Sequence, residues 1–312
     1  MPNKQITTSE PIRIGIDLGG TKTECVALDS NTGEQLFRER LPTEKGDYYG
    51  TLDTIRHLVS LAETELAETA SVGVGIPGTL SGQTGFVKNA NSIWLNGRDF
   101  KNDLESILGR SIRLANDANC FAVSEAVDGA GMGADVVFGI ILGTGVGAGL
   151  VVHQSVINGA NGLAGEWGHN GLHRPTVEEI ELATSCYCGQ HGCIETWLSG
   201  PSFEREYFKL SGLSLNASSI VHKMLTGDDA AQQCMKSYCS RLVRSLAHMV
   251  NMIDPDVIVL GGGMSNVDAL YPYLNTHLES HVFGQECKTK VVKNEHGDSS
   301  GVRGAAWLWG RT

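Results

Sequence analysis

Residues 12–22 of this chain read IRIGIDLGGTK, and residues 136–147 read VVFGIILGTGVG. In each stretch an apolar run ends in a glycine-rich turn, and a second strand-like run follows, near residues 23–29 and near residues 150–153. This order predicts two β-hairpins, each with a glycine turn. Two such hairpins at equivalent places in two α/β halves predict a duplicated fold with a cleft between its lobes.

The glycines of these turns allow the backbone to approach a ligand closely and to direct successive N–H groups at an anion. A third glycine run, at residues 261–263, follows a strand-like run and opens a predicted helix. One glycine turn by itself is more often purely structural, but three in related positions favour an anion site. Neither the Walker A pattern nor the dinucleotide-binding Gly-x-Gly-x-x-Gly pattern is present.

The rest of the chain alternates between strand-like and helical patterns. Helical periodicity covers residues 47–68 and 228–253, and short apolar runs at 71–76, 112–115 and 257–260 predict strands. Asn116 and Asp117 are suited to cap a helix through Val127, and further helices are expected from about Val267 and at 302–309. At 312 residues the chain exceeds the size at which single cores stop growing, so two lobes are expected.

One histidine and three cysteines form a compact group in the second half of the chain: His169, Cys186, Cys188 and Cys193. Three thiolates and an imidazole suit zinc and leave no open position for a catalytic water. The alternative is a disulfide fragment of a secreted protein. The opening residues contain no apolar stretch of the kind found in secretory signals, so we favour a structural zinc site in a reducing cytoplasm.

Charge and hydropathy exclude several classes of partner. The formal net charge of −11 and the pI near 5.4 argue against nucleic acid, because phosphate neutralisation needs a basic face. They do not argue against a nucleotide, since backbone amides and a magnesium ion can hold a triphosphate. No apolar run approaches the length of a membrane span, so no membrane association is expected.

Six motifs together resemble the ROK (repressor, open reading frame, kinase) sugar kinases of the actin/hexokinase superfamily. They are DLGGTK at 17–22, NDAN at 116–119, LGTGVG at 142–147, GEWGH at 165–169, CYCGQHGC at 186–193 and GGG at 261–263. Within the family, VKNANS at 87–92, WLNG at 94–97 and DSSGVRGAAW at 298–307 resemble bacterial fructokinases (mannofructokinases). The N-acetylglucosamine kinases of the same family are the alternative.

The resemblance implies a two-lobed α/β fold of the actin/hexokinase (ribonuclease H-like) type, with the active site in the interlobe cleft. Residues 1–116 plus 298–312 would form the small lobe, closed by the C-terminal helix. Residues 117–297 would form the large lobe, which carries the zinc loop. The family also implies a homodimer, and its lobes are expected to close over the sugar to exclude water.

The sugar side of the expected site contains the candidate general base, Asp117, which stands where a strand gives way to a helix. A plain helix N-cap is the alternative role for Asp117. The family places the directed hydrogen bonds that a polyol needs on Asn91, Asn116, Glu166, His169 and Glu195. His169 would then serve twice, with one ring nitrogen on zinc and the other facing the sugar.

The nucleotide side is expected to bind ATP. By resemblance, the first phosphate loop contains Gly19, Gly20, Thr21 and Lys22, the second contains Gly143, Thr144 and Gly145, and the adenosine lies against Gly261, Gly262 and Gly263. Asp17 would hold Mg²⁺ through water, because this cation prefers carboxylate oxygens and keeps much of its hydration shell. Its alternative role is a turn residue that satisfies local amides, and Lys22 is equally suited to a solvated hairpin position.

Three functional hypotheses follow. The first is an ATP-dependent hexose kinase, with fructose 6-phosphate as the expected product and N-acetylglucosamine, mannose or glucose as alternative substrates. The second is a sugar-responsive repressor, which in this family carries a winged helix-turn-helix ahead of the kinase-like fold. The first strand is expected near Ile12, which leaves no room for such a domain, and an acidic chain is a poor DNA binder. The third is a non-catalytic sugar-binding protein, which is expected to lack the base that Asp117 supplies.

Overall fold

The computed structural model describes residues 10–312. The first half of the described chain contains two helices and seven strands: β1 (Ile12–Leu18), β2 (Lys22–Asp29), β3 (Gln35–Pro42), α1 (Tyr48–Leu66), β4 (Ser71–Ile76), β5 (Thr79–Leu80), β6 (Val87–Lys88), α2 (Phe100–Leu108) and β7 (Ile112–Asn116). The second half contains α3 (Asp117–Val127), β8 (Val136–Leu142), β9 (Val146–Val152), β10 (Ser155–Val156), α4 (Val177–Leu182), α5 (Glu195–Leu198), α6 (Gly200–Ser211), α7 (Ala217–Leu225), α8 (Asp229–Ile253), β11 (Val257–Gly261), α9 (Leu270–His277), β12 (Lys290–Lys293) and α10 (Ser300–Trp307).

The first sheet has the strand order β3-β2-β1-β4-β7. Strands β1, β2 and β3 are antiparallel neighbours, whereas β4 and β7 run parallel to β1. Both faces of β4 are buried, as expected for a central parallel strand covered by helices on each side. On one face its side chains join a core cluster with residues of α1 and α2, including Leu52, Ile55 and Phe100.

The second sheet repeats this arrangement in the order β10-β9-β8-β11-β12. Strands β8, β9 and β10 are antiparallel, and β11 and β12 run parallel to β8. Its core is a separate cluster that includes Phe138, Trp167, Tyr238 and Leu246. Two sheets with the same topology and distinct cores confirm the predicted duplication and the two-lobed α/β fold.

Helices α3 and α10 pack against each other between the two sheets. A β-carbon at Gly304 of α10 would lie 1.6 Å from the carbonyl oxygen of Cys120 in α3, so the two helix backbones approach as closely as glycine permits. The carboxylate of Glu125 in α3 is fully buried and accepts a hydrogen bond from the Ser300 hydroxyl at 2.8 Å. This junction connects the end of the chain to the start of the second half.

Three predicted elements begin at other residues than expected. The strand expected near 150–153 begins at Val146, because Gly147 and Gly149 pack against Ala118 and Ala122 of α3 instead of ending the strand. The helix expected from about Val267 begins at Leu270 after a short 3₁₀ turn, Gly263–Asn266. The last helix is Ser300–Trp307, two residues earlier than predicted at each end.

The predicted boundaries of the lobes, at residues 116/117 and 297/298, stay a prediction. Within the described part of the chain, none of the helices has both the length and the apolar character needed to cross a membrane.

Candidate functional site

The N-terminus of α3 positions the candidate base. Asn116 ends β7 and is the N-cap, because its side-chain oxygen accepts the N–H of Asn119 at 2.8 Å. Asp117 is therefore the first residue of the helix and not its cap, which removes the alternative role considered for it. Its Oδ1 accepts the N–H of Ala118 at 2.8 Å, and the side chain remains accessible to solvent.

Two carboxylates face the same region of the cleft. Dense surrounding protein raises the pKa of Asp117 above its usual value, although the Ala118 N–H opposes this shift. Burial raises the pKa of Asp17 to about 6, and the negative charges of Asp117 and Glu24 add to this shift. Among residues 10–312, none donates a hydrogen bond to the Asp17 side chain. A half-buried carboxylate beside a second carboxylate, which makes no salt bridge within residues 10–312, fits the hard oxygen ligands that Mg²⁺ prefers.

The first glycine turn joins β1 to β2. The N–H of Gly19 donates to the carbonyl of Lys22 at 3.0 Å, and the Thr43 hydroxyl donates to the carbonyl of Gly19 at 2.8 Å. Within the described residues, the N–H groups of Gly20 and Thr21 make no hydrogen bond, so they remain available to an anion. Thr43 was not singled out from the sequence, since it lies on a different strand connection.

The second glycine turn joins β8 to β9 and is held from outside the hairpin. The N–H of Gly143 donates to the carbonyl of Gly145 at 3.0 Å, and the carbonyl of Gly143 accepts the N–H of Gly200 at 2.8 Å. Oε2 of Glu195 accepts the N–H of Val146 at 2.9 Å. The predicted sugar ligand Glu195 therefore also supports this turn, a role that the sequence analysis did not identify.

The third glycine run lies directly against the second turn. Gly261 ends β11, and Gly263 begins the 3₁₀ turn that follows it. Gly262 has φ 78°, and a β-carbon there would lie 2.6 Å from the carbonyl of Leu142. This close approach, which requires glycine, brings the predicted adenosine run beside the predicted phosphate turn.

The four predicted zinc ligands come together. One ligand atom each from His169, Cys186, Cys188 and Cys193 lies within 4.8 Å of every other. The Sγ atoms of Cys188 and Cys193 are 3.6 Å apart, and Cys186 Sγ is 3.6 Å from His169 Nδ1. A tetrahedral site with Zn–S bonds of about 2.3 Å places its sulfurs about 3.8 Å apart, so this group has the size of a zinc site.

The second nitrogen of His169 faces away from the thiols. Its Nε2 lies 3.1 Å from the hydroxyl of Tyr187 and 4.0 Å from Oε2 of Glu166. The ring can therefore contact the thiol group through Nδ1 and a polar ligand through Nε2. Tyr187 was missed, although its place between Cys186 and Cys188 was a signal available in the sequence.

Asn91 is less closely connected to the other predicted sugar ligands. Its N–H donates to the carbonyl of Pro77 at 3.1 Å, and its side chain is exposed. No hydrogen bond within residues 10–312 joins that side chain to Asn116, Glu166, His169 or Glu195. The neighbouring Ser92 lies beside the first glycine turn, since a β-carbon at Gly20 would be 3.9 Å from its hydroxyl.

The cleft thus combines two carboxylates with a first glycine turn in which the N–H groups of Gly20 and Thr21 make no hydrogen bond among the described residues, and a Cys/His group is linked to the second turn through Glu195. Carboxylates of raised pKa accept protons near neutral pH, and glycine amides bind phosphate. This combination can position an alcohol and a polyphosphate for phosphoryl transfer.

Comparisons with known proteins agree over nearly the whole chain. The model described as ROK family matches residues 13–312. An N-acetyl-D-glucosamine kinase of Pectobacterium atrosepticum is 38% identical over 297 residues, covering 94% of this chain and 97% of the relative. The ROK hexokinase structure from Thermus thermophilus has a TM-score of 0.84 at 26% identity, covering 95% and 97% of the two chains. A ROK glucokinase from Streptomyces griseus, solved with glucose and AMPPNP, has a TM-score of 0.73 at 26% identity, covering 95% and 98%.

Proposed function

This chain belongs to the ROK family, and on that premise we propose that it is an ATP-dependent kinase of N-acetyl-D-glucosamine. The observation that carries the proposal is the pair Asp17 and Asp117 at the mouth of the glycine turns, in a chain that is 38% identical to a kinase of that sugar. The relative's activity supports N-acetyl-D-glucosamine, the alternative substrate, over fructose, which the motifs at 87–97 and 298–307 predict. Fructose is accordingly the competing substrate in the test below.

Asp117 is the general base in this proposal. Its carboxylate accepts the proton of a sugar hydroxyl as that oxygen attacks the terminal phosphorus of ATP. The bond from phosphorus to the bridging oxygen breaks, and ADP leaves. A carboxylate with a raised pKa is a better base near neutral pH than an ordinary aspartate, which favours Asp117 for this step.

The nucleotide lies on the three glycine segments. Free N–H groups of the first and second turns bind phosphate oxygens, and the adjacent third run contacts the adenosine. Asp17 would hold Mg²⁺ through water, and the ion, when bound, would neutralise charge on the transferred phosphoryl group. The side chain of Lys22 is exposed at the end of the first turn and is not needed for this arrangement.

The Cys/His group is proposed to be a structural zinc site. Zinc on His169 Nδ1 and the three thiolates would fix the loop that presents Glu166, His169 Nε2 and Glu195 to the sugar. Asn91 and Asn116 would supply further hydrogen bonds from the first lobe. The expected homodimer and cytoplasmic location stay predictions.

The test is a comparison of purified enzyme on N-acetyl-D-glucosamine, glucose, mannose and fructose, with kcat/KM measured in an ADP-coupled assay. The expected result is a preference for N-acetyl-D-glucosamine of at least about tenfold over each other sugar. A preference for fructose would reject the proposed substrate and restore the original prediction. Absence of ADP release with every sugar would reject the kinase itself and favour a binding or regulatory role.

A further inference from the structure

Three charged side chains form a row across strands β1, β2 and β3. Asp17 pairs with Glu24, and Glu24 pairs with Arg40, in the two antiparallel registers. Directly paired residues of neighbouring strands point to the same face of a sheet, so the three side chains share one face. Helix α10 packs on that face, since a β-carbon at Gly301 would lie 3.5 Å from Oδ2 of Asp17. The proposed magnesium ligand Asp17 is thus followed, on β2 and β3, by an acid and a base.

Glu24 is a buried carboxylate held by two arginines. The residue is 3% exposed. Nε and Nη2 of Arg38 both lie 2.7 Å from its Oε1, and Nε of Arg40 lies 2.8 Å from its Oε2. One cation is enough to balance a buried carboxylate, and Arg38 supplies it through two nitrogens. The group formed by Glu24, Arg38 and Arg40 therefore carries one surplus positive charge.

The guanidinium of Arg40 keeps free donors. Within residues 10–312, neither Nη1 nor Nη2 donates a hydrogen bond to the protein, and the side chain is 41% exposed. A guanidinium presents its N–H donors in a planar fork that matches the oxygens of carboxylate or phosphate. Because Nε is directed at Glu24, the terminal nitrogens of the fork remain available to a second anion.

Arg40 lies close to the nucleotide side of the cleft. Contact with the Glu24 carboxylate brings its guanidinium over β2, about 5 Å, or one strand spacing, from the strand that carries Asp17. Burial raises the pKa of Asp17 to about 6, and Lys22 and Arg40 are the two cations whose charges oppose this rise. Just past Arg40 the chain reaches Thr43, whose hydroxyl supports the first glycine turn. The surplus charge is therefore beside the site proposed for magnesium and phosphate.

A triphosphate bound here would be stabilised by a fixed positive charge. Glycine N–H groups supply dipoles, and Mg²⁺ neutralises only part of the charge of a triphosphate. Lys22 is exposed at the end of the first turn and has no salt bridge among the described residues that would fix it. Arg40 is held by Glu24, so its fork is oriented before the nucleotide arrives.

We propose that Arg40 binds the phosphate chain of the nucleotide through its two free terminal nitrogens and that Glu24 positions it for this contact. The contact is a charge-assisted hydrogen bond of the kind that arginine makes with phosphate. Arg38 contacts the other oxygen of Glu24 and balances its charge, which leaves the charge of Arg40 for the ligand. This inference rests on the proposed function, because it adds a phosphate contact to the same nucleotide site.

Three variants of the full-length enzyme test this contact. Arg40→Met removes the guanidinium but keeps an unbranched side chain, and Arg40→Lys keeps the positive charge without the fork. Arg38→Met is the matched control, because Arg38 lies on the same strand and contacts the same carboxylate but pairs with Val26, farther from the first turn. Thermal unfolding of each variant shows whether the fold is retained.

Two measurements separate phosphate binding from other effects: the KM for ATP at saturating sugar, and calorimetric titration with MgADP and with adenosine. We expect Arg40→Met to raise the KM for ATP and the Kd for MgADP at least about tenfold, because a charge-assisted hydrogen bond is lost. Its Kd for adenosine, which has no phosphate, should stay within about twofold of the wild type, as should all three constants of Arg38→Met, since neither case loses a hydrogen bond to the ligand. Arg40→Lys should recover part of the loss.

Unchanged values of the KM for ATP and the Kd for MgADP in Arg40→Met would overturn the proposal. An equal loss in Arg38→Met, or a loss of adenosine affinity as large as that of MgADP, would also overturn it, because the effect would then come from disturbing Glu24. If the wild type releases no ADP with any sugar, the proposed function fails, while titration with MgADP still decides the role of Arg40. If MgADP does not bind the wild type, both proposals fail together.

Discussion

Oε2 of Glu195 accepts a hydrogen bond from the backbone N–H of Val146 at 2.9 Å. Glu195 begins α5 shortly after Cys193, and Val146 begins β9 directly after the second glycine turn. The other carboxylate oxygen, Oε1, lies 3.9 Å from the Sγ of Cys186. One side chain therefore links the Cys/His group, proposed to hold the sugar loop, to the turn proposed to hold phosphate.

Replacing Glu195 should affect the nucleotide as well as the sugar. In Glu195→Ala the N–H of Val146 loses its acceptor, so we expect kcat to fall and the KM for ATP to rise, each about tenfold. Glu195→Gln retains an acceptor oxygen and should raise the KM for ATP much less. Steady-state kinetics with both substrates varied would measure this, and a Glu195→Ala enzyme with a normal KM for ATP would show that the contact does not support the turn.

Removing the proposed base should lower turnover without loss of sugar affinity. Asp117→Asn preserves the side-chain oxygen that accepts the Ala118 N–H, so the helix start should be retained. We expect kcat to fall about 10²- to 10⁴-fold, the usual contribution of a general base. Asp135→Asn, at an acid that is 78% exposed, is the control and should be fully active. Near-normal turnover in Asp117→Asn, with normal sugar binding by calorimetry, would exclude Asp117 as the base.

The activity should fall in acid because Asp17 must be ionised to hold magnesium. Its pKa is raised to about 6, chiefly by burial and further by Asp117. We therefore expect kcat/KM for ATP to rise with pH through a midpoint near 6 and to level off about one unit above it. Protons and Mg²⁺ compete for the same carboxylate, so raising the magnesium concentration should move the midpoint to lower pH. A midpoint that does not respond to magnesium would contradict the role given to Asp17.

The α3–α10 junction should make stability depend on pH through His296. Its Nε2 lies 3.0 Å from Oδ1 of Asp128, and this hydrogen bond raises the pKa of His296 above 6.5. The pKa of His296 is therefore higher in the folded protein than in the unfolded chain. The His296–Asp128 pair stabilises the fold fully at pH values below the unfolded-state pKa of about 6.5, and this stabilisation is lost as pH rises through the folded-state pKa.

We expect His296→Ala to lower the free energy of unfolding by about 1–3 kcal/mol at pH 5.5 and by less at pH 9. His153→Ala is the matched control, because His153 pairs with Asp135 at a site where both side chains are more than 70% exposed, and such pairs contribute little. Urea unfolding at the two pH values would measure both variants. If His296→Ala lowers the free energy of unfolding equally at pH 5.5 and pH 9, the stabilisation does not come from an ionised His296–Asp128 pair.

Removal of the proposed zinc should weaken sugar binding or unfold the protein, and added magnesium should not restore either. We expect one zinc per chain in purified protein, and none in Cys188→Ser or after treatment with a chelator. Calorimetry should then show at least about a tenfold loss of sugar affinity, or circular dichroism a loss of fold. Cys287→Ser, outside the Cys/His group, is the control. Zinc-free protein with unchanged sugar affinity would contradict the structural role.

The two hairpins and the main helices could be predicted because their signals are local. Apolar runs that end in glycine mark β1 and β8, and helical periodicity marks α1 and α8, for which the structure adds Asp47 and Asp228 as N-caps. The start of β9 was misplaced because the glycines of that strand serve packing against α3, which periodicity cannot reveal. Short elements such as α4 and β12 carry too few residues for a clear pattern.

The sequence by itself determined the duplicated α/β pattern, the three glycine runs and the ligand set of the Cys/His group, since spacing and side-chain chemistry are properties of short segments. Tertiary structure decided how these parts meet. Glu195 reaches Val146, 49 positions earlier in the chain, and Asp17 comes close enough to Asp117 to raise its own pKa. These contacts depend on two sheets packing around α3 and α10. Packing of that kind joins residues distant in sequence, and no local pattern records it.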